Sequence, residues 1–236
     1  MSVEEPLVAI IEDELPVRRF LRASLKGEGY RVAEAETGQE GLRIVTQENP
    51  AVVILDLGLP DRDGLEIIEE VRGWSGVPIL VLSAREQERV KIRALDLGAN
   101  DYLTKPFGIG ELLARVRVAI RSRARTSDLD QPERTTFQIG DIEVDLLSRQ
   151  VTRGGEKIKL TRLEFELLRV LAVNSGRVLT HRFLLQEVWG PHMTAEHHTL
   201  RVFISSLRKK LEKDPNRPEF ILTDQGVGYR LVCPSD

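Results

Sequence analysis

The side chains of this 236-residue chain best suited to chemistry are spaced along its first half: the acidic pair Glu12 and Asp13, then Asp56, Ser83 and Lys105. Carboxylates that share a site repel one another and call for a cation. These donors are all oxygen, with no His or Cys beside them, which points to Mg²⁺ rather than a softer metal. A carboxylate can attack phosphorus to give an aspartyl phosphate, and the displacement needs its equatorial charge neutralised. Mg²⁺ and the Lys105 ammonium can supply that, with the Ser83 hydroxyl donating to an oxygen. Asp56 is the candidate nucleophile, because it ends the apolar run Val52-Val53-Ile54-Leu55 where a core strand needs no carboxylate.

Each of these groups follows a different candidate strand: the apolar runs Leu7 to Ile11, Val52 to Leu55 and Val77 to Leu82, and the short stretch Asp101 to Thr104. Tyr30 to Ala35 reads as a further short strand. Continuous apolar runs of this length are expected of strands buried on both faces. Helices are predicted between them. The first carries Val17, Phe20, Leu21 and Leu25 on one face. The second opens with a Thr37–Glu40 capping box and ends before Asn49-Pro50. The third carries Leu65, Ile68 and Val71, and the fourth runs from about Glu86 to Leu97. The last runs from about Ile109 to Arg121, with Leu112, Leu113, Val116 and Ile120 inward. Strand and helix thus alternate in the manner of a doubly wound α/β fold with a five-stranded parallel sheet, whose carboxyl edge gathers the candidate groups. Neither G-x-G-x-x-G nor G-x-x-x-x-G-K-[ST] is present, which argues against dinucleotide and NTP binding.

Composition adds bounds. Apolar residues make up 41% and charged residues 30%, and no apolar run approaches a membrane span. The start, with Glu4 and Glu5, does not read as a signal peptide. Cys233 is the sole cysteine, so a cytoplasmic protein without internal disulfides is expected. Net charge is -3, divided as -5 over residues 1–122 and +2 over 123–236.

The stretch Arg121 to Thr136, RSRARTSDLDQPERTT, reads as a linker. Beyond it the pattern changes. Ile139 to Leu146 alternates as one strand, and Gly154-Gly155 joins strands Arg149–Arg153 and Lys157–Leu160 in a hairpin. Thr161 and Glu164 make a capping box for a helix bearing Leu163, Leu167, Leu168 and Leu171. Thr180 opens a second helix ending at Gly190, and a third runs from about Glu196 to Leu211. Ile221 to Thr223 and Tyr229 to Val232 close the chain as a hairpin. Three helices and a terminal hairpin make a winged helix. In the third helix Leu200, Ile204, Leu207 and Leu211 point inward, while His197, Arg201, Ser205 and Arg208 share the opposite face. His197 to Leu211 holds four basic residues and no acidic one, the composition of a helix placed in a major groove. Arg201 suits guanine, and Lys209 and Lys210 suit phosphates. Arg230 on the hairpin suits a minor groove, with Gly226 and Gly228 allowing the tight turn. His192, His197 and His198 lack further partners at metal-ligand spacing, so turn and DNA-facing roles fit them better. Trp74 and Trp189 read as packing residues.

With IIEDE, VVILDLGLPDRDG, VPILVLSA and NDYLTKPF, residues 5–122 resemble the receiver domain of two-component response regulators. LTRLEFELL, VLTHRFLLQEVWG, LRVFISSLRKKLE and GVGYR resemble the effector domain of their OmpR/PhoB-type winged-helix subgroup. The resemblance implies a flavodoxin-like receiver over 1–122, a linker over 123–136 and a DNA-binding domain over 137–236. It implies that Asp56 becomes 4-aspartylphosphate at the expense of a sensor histidine kinase. Glu12, Asp13, Asp56 and the Gly58 carbonyl would hold Mg²⁺, and Lys105 would meet the phosphoryl group across a cis Lys105–Pro106 bond. Ser83 and Tyr102 would form the switch pair. A homodimer formed on phosphorylation would pair Lys91 with Glu111, Asp96 with Arg117 and Asp101 with Arg115. Asn100 replaces an Asp common in relatives, and Gly58 stands where many carry a larger residue. The implied partners are double-stranded DNA bearing direct repeats and, as a further contact, RNA polymerase, with no membrane. DLGLPD, KPFGIGEL and HTLRVFISSLRKKLEKDPNRP are similar to the branch that regulates potassium-transport genes, the alternative being another regulon. The protein is then a regulator and not an enzyme. A phosphatase acting through Asp56 would often carry a second acid two residues on, where Gly58 stands.

Overall fold

The computed structural model of the protein describes residues 5–84, 88–127, 135–190 and 197–233. The chain divides into two compact units, Met1–Thr126 and Ser127–Asp236. In the first, strands β1 (Leu7–Ile11), β2 (Arg31–Ala35), β3 (Val52–Asp56), β4 (Ile79–Ala84) and β5 (Asp101–Lys105) alternate with helices α1 (Leu15–Gly27), α2 (Gly38–Glu48), α3 (Gly64–Arg72), α4 (Glu88–Asp96) and α5 (Ile109–Ser127). The strands form one parallel sheet in the order β2-β1-β3-β4-β5, the expected doubly wound arrangement. Every residue of β3 is buried, as a central strand covered on both faces requires. One core layer sets Leu21, Leu25, Leu112 and Val116 against Val8, Ile10, Val52, Ile54, Leu80, Leu82 and Leu103.

Local chemistry explains where the elements depart from expectation. Thr37 Oγ1 accepts from the Glu40 N–H, but Glu40 Oε2 accepts from Glu36 rather than from Thr37, so the box is half made. Helix α5 runs on to Ser127, past the end near Arg121 that the apolar spacing predicts. Arg123 on this polar extension donates to Asn49 Oδ1 at 2.6 Å and to the Pro50 carbonyl, tying it to the end of α2. On α1 the apolar face is not the whole inner face, for Phe20 is 43% exposed and Arg18 only 4%. The fourth helix begins at Glu88, and the expected start at Glu86 lies outside the described residues.

The second unit opens with a four-stranded antiparallel sheet, β6 (Thr136–Ile139), β7 (Ile142–Asp145), β8 (Gln150–Arg153) and β9 (Glu156–Lys157). The alternation read as one strand from Ile139 to Leu146 is instead broken into a hairpin at Gly140, whose φ of 57° is open to glycine. Helices α6 (Arg162–Val173), α7 (His181–Trp189) and α8 (His197–Leu211) follow. Thr161 and Glu164 complete a reciprocal capping box on α6, and Thr180 caps α7. The expected start of α8 at Glu196 lies outside the described residues. A short β10 (Leu179–Thr180) joins the terminal hairpin β11 (Ile221–Asp224) and β12 (Gly228–Leu231) in the order β10-β12-β11. Two residues are too few to show as a strand in sequence, yet they explain Gly228. A Cβ there would lie 1.9 Å from the Leu179 carbonyl oxygen, whereas the turn itself is served by Gly226, with φ 76°. Trp189 packs edge-on against Phe203 at 5.2 Å, while Trp74 is 48% exposed.

Candidate functional site

Parallel pairing of β1 with β3 sets Ile11 opposite Leu55, so that Glu12 and Asp56 leave the sheet side by side. Glu12 is fully buried, Asp56 nearly so and Asp13 exposed, and carboxylate oxygens of all three lie within 4.8 Å of one another. Among the described residues these form the single cluster of three acidic, His or Cys side chains close enough to share an ion. From β5, Lys105 Nζ reaches Asp56 Oδ2 at 2.7 Å, Glu12 Oε2 at 2.9 Å and Glu14 Oε1 at 3.3 Å. The Lys105–Pro106 peptide is cis, as the resemblance implies.

The electrostatics are unbalanced. Burial, followed by the Asp56 charge, pushes the Glu12 carboxyl up to about 7 although the Lys105 ammonium opposes it. Burial works against the Lys105 charge too, but Asp56 and Glu12 overcome it and raise its pKa. A single ammonium, that of Lys105, faces the carboxyl groups of Glu12, Glu14 and Asp56. An all-oxygen set with surplus negative charge fits a hard divalent cation. Gly58 is exposed, its N–H donates to Asp56 Oδ1 at 3.3 Å, and an added Cβ would meet nothing within 4 Å. A larger residue therefore fits there as well, and a ligand role falls to the backbone.

Gly64 and Asp61 support this loop. A Cβ on Gly64 would lie 2.6 Å from Leu57 Cα and 2.9 Å from the Asp56 carbonyl, so only glycine lets α3 start so close behind Asp56. Sequence reasoning missed Asp61. Its carboxylate accepts from the N–H groups of Gly38 at 2.8 Å and Gln39 at 3.0 Å, tying the β3–α3 loop to the start of α2. Those backbone donors hold it below the usual carboxylate range.

Ser83 is the penultimate residue of β4, beside β3, and its buried Oγ has no hydrogen-bond partner. Tyr102 on β5 is half-buried, with Lys91 Nζ 5.1 Å and the Arg115 guanidinium 5.9 Å from its ring centre. Lys91 is buried and donates to Thr104 Oγ1 at 2.9 Å. Arg115 meets Asp101 at 2.7 Å and Glu111 at 2.8 Å within the chain, which raises its pKa against the effect of burial. Of the residues expected to pair between chains, Asp96, Glu111 and Arg117 are exposed. Asn100 Oδ1 accepts from Arg72 at 2.9 Å and the Ile79 N–H at 3.0 Å, binding α3 to the sheet.

In the second unit Leu200, Ile204, Leu207 and Leu211 anchor α8 in the core. His198, Arg201, Ser205 and Lys209 are exposed. The other expected contacts are engaged within the unit. Arg208 donates to the Ile221 carbonyl at 2.9 Å and to Thr223 Oγ1 at 2.8 Å, and burial lowers its pKa. Lys210 donates to Glu164 at 2.6 Å, and Arg230 lies 3.4 Å from Asp224. The His197 side chain and all of His192 lie outside the described residues. Among the described residues no helix is long and apolar enough to cross a membrane.

Comparison with known proteins adds further findings. The family model of the response regulator receiver domain matches residues 8–117, and that of the C-terminal domain of transcriptional regulatory proteins matches 155–231. The chain is 52% identical over 225 residues, 95% of its length and 98% of the relative's, to the KDP operon transcriptional regulatory protein KdpE of Escherichia coli K12. It is 45% identical, over the same shares, to the transcriptional regulatory protein KdpE of Mycobacterium tuberculosis. Among solved structures, a mutant of RitR is 29% identical, with 96% of this chain and 98% of that one covered and a TM-score of 0.51.

Proposed function

Because the chain belongs to the two-component response regulators that join a receiver domain to an OmpR/PhoB-type winged-helix domain, we propose that Asp56 accepts a phosphoryl group from a sensor histidine kinase and that this controls DNA binding. The observation that carries the reading is the Lys105 ammonium held 2.7 Å from Asp56 at the edge of an acidic cluster. An Asp56 carboxylate oxygen bonds to phosphorus as the bond to the kinase imidazole breaks, and the imidazole retains its leaving electron pair. Glu12, Asp13, Asp56 and the Gly58 carbonyl would hold Mg²⁺, which offsets charge on the transferring group. Lys105, 2.7 Å from Asp56, contributes a fixed positive charge. The Ser83 hydroxyl, buried and without a partner, turns to donate to a phosphoryl oxygen, and Tyr102 moves into the space it leaves. The chain is an acceptor, not a turnover enzyme.

Movement of Tyr102 disturbs Lys91 and Arg115, which lie against its ring on α4 and α5. That links the phosphoryl group to a dimer face made of Lys91, Asp96, Asp101, Glu111, Arg115 and Arg117. Dimerisation sets two winged helices on adjacent direct repeats and raises their effective concentration. His198, Arg201 and Ser205 face bases, Lys209 faces phosphates, Arg208 and Lys210 hold the helix in place, and Arg230 approaches the minor groove. Residues 1–122 act as receiver, 123–136 as linker and 137–236 as effector in the cytoplasm, with RNA polymerase as a further contact. The names of its KdpE relatives support potassium-transport genes as the target.

The test combines phosphoryl uptake with DNA affinity. Acetyl phosphate and Mg²⁺ are expected to load one phosphoryl group on the parent and none on Asp56→Asn. Affinity for potassium-operon promoter DNA at one fixed salt concentration is expected to rise on loading. Full loading of Asp56→Asn, or equal affinities before and after, would overturn the reading.

A further inference from the structure

Arg18 is an ionised side chain that the phosphoryl chemistry does not use, yet it is 4% exposed. It lies in the first turns of α1, directly after the acidic loop. Its Nη1 donates to the Glu12 carbonyl at 2.7 Å and to the Asp13 carbonyl at 3.0 Å. Its Nη2 donates to the Glu36 carboxylate, and its Nε lies 3.7 Å from Glu34 Oε2. One guanidinium therefore grips the backbone of two acidic residues of the site and anchors that grip on β2 and the residue that follows it.

We infer that Arg18 is a positioning residue for the metal site, fixing the Glu12–Asp13 backbone so that both carboxylates converge with Asp56 instead of spreading under mutual repulsion. The inference rests on the proposed metal-binding reading of that cluster. Its basis is geometric: Glu36 and Glu34 already balance the charge of Arg18, while the directed N–H groups set the course of the loop between β1 and α1. The planar guanidinium suits this task, since Nη1 serves two carbonyls while Nη2 and Nε face carboxylates. The Lys ammonium, a single point of charge, reaches one side or the other. The Glu14 N–H, donating to Glu12 Oε1 at 3.2 Å, is a further tie within the loop. Partners that orient ligating groups without touching the metal commonly change affinity by 10–100-fold.

Titration of the full chain with MgCl₂ by calorimetry, at constant ionic strength, tests this. Arg18→Met is expected to raise the Mg²⁺ dissociation constant about tenfold, with faster amide exchange over residues 13–15, and Arg18→Lys is expected to restore only part of the affinity. A merely structural role would lower the melting temperature and leave the Mg²⁺ affinity of the folded chain unchanged, which overturns the proposal. Asp56→Asn is the control for the underlying reading. If it binds Mg²⁺ as tightly as the parent, the metal site itself is wrong. If it binds weakly while Arg18→Met matches the parent, the Arg18 role alone is wrong. Should Arg18→Met fail to fold, Glu36→Gln decides, because the Glu36 side chain is 68% exposed and its loss leaves the core intact. A smaller weakening of Mg²⁺ binding in that variant supports the role, and parental binding overturns it.

Discussion

Glu164→Gln removes one negative charge from the seam between α6 and α8 and leaves its shape. The Glu164 carboxylate accepts from the Thr161 N–H, Ser206 Oγ and Lys210 Nζ, each at 2.6 Å. Burial alone would raise its pKa, but these donors, Lys210 foremost, overcome burial and bring it from an ordinary 4.5 down to about 2. At about 1.4 kcal/mol per pKa unit, the shift bounds the charge-dependent stabilisation at about 3 kcal/mol. Lys210 is 32% exposed, so solvent screens part of the pair and about 2 kcal/mol is the expected loss at pH 7. The sign follows from the depressed native pKa. The contribution is complete above the unfolded value of 4.5 and disappears as pH falls towards 2. Urea unfolding followed by Trp189 fluorescence in a Trp74→Phe background reads this unit alone. The variant is expected to show a lower midpoint with an unchanged slope at pH 7, and the gap to the parent is expected to narrow below pH 4.5. A variant as stable as the parent at pH 7, or a gap that stays constant down to pH 3, would refute the argument.

Arg201→Ala is expected to cost about 1–3 kcal/mol on cognate DNA and to relax base preference at one position, measured by competition among substituted sites. Arg208→Ala is expected to act differently, lowering the melting temperature of the second unit by freeing the Ile221 carbonyl and Thr223, and weakening binding to all sequences alike. Gly228→Ala is expected to part β10 from β12, since the new Cβ would lie 1.9 Å from the Leu179 oxygen. Loss of the folded second unit with an intact first unit, seen by amide exchange, is the check.

The grouping of the candidate side chains in the first unit was legible because a parallel sheet makes its carboxyl edge visible in sequence. Each candidate strand leads at its carboxyl end to one such residue, so Glu12, Asp56, Ser83 and Lys105 could be aligned without coordinates. The supports were illegible for a reason of the same kind. Asp61 caps α2 across 23 residues of chain, and no local pattern joins a loop carboxylate to so distant a helix start. Arg18 was hidden by the reading of α1 through its apolar residues, which put Phe20 inward. Phe20 instead sits 6.2 Å from the Phe107 ring and is 43% exposed, and the buried position belongs to the cation. Hydrophobic periodicity cannot foresee that, because the stabilisation comes from acceptors on other segments that satisfy the guanidinium when it leaves water.

The basic helix shows the complementary failure. A helical wheel gives the direction in which a side chain leaves the axis, not where a long stem ends. Arg208 leaves α8 on the face of Arg201 and Ser205, then bends back to the Ile221 carbonyl. Lys210 reaches across to Glu164 on α6. The cations at the end of α8 thus divide, with Lys209 exposed and its two neighbours fastening the helix to the hairpin and to α6. His198, Arg201 and Ser205, in the first two-thirds of α8, remain exposed. That division matches how a recognition helix meets DNA, with its N-terminal residues at the base edges. Substitutions at 201 and 205 should therefore change which sequence is bound. Substitutions at 208 and 210 should change how firmly the helix is held, and with it the affinity for every sequence.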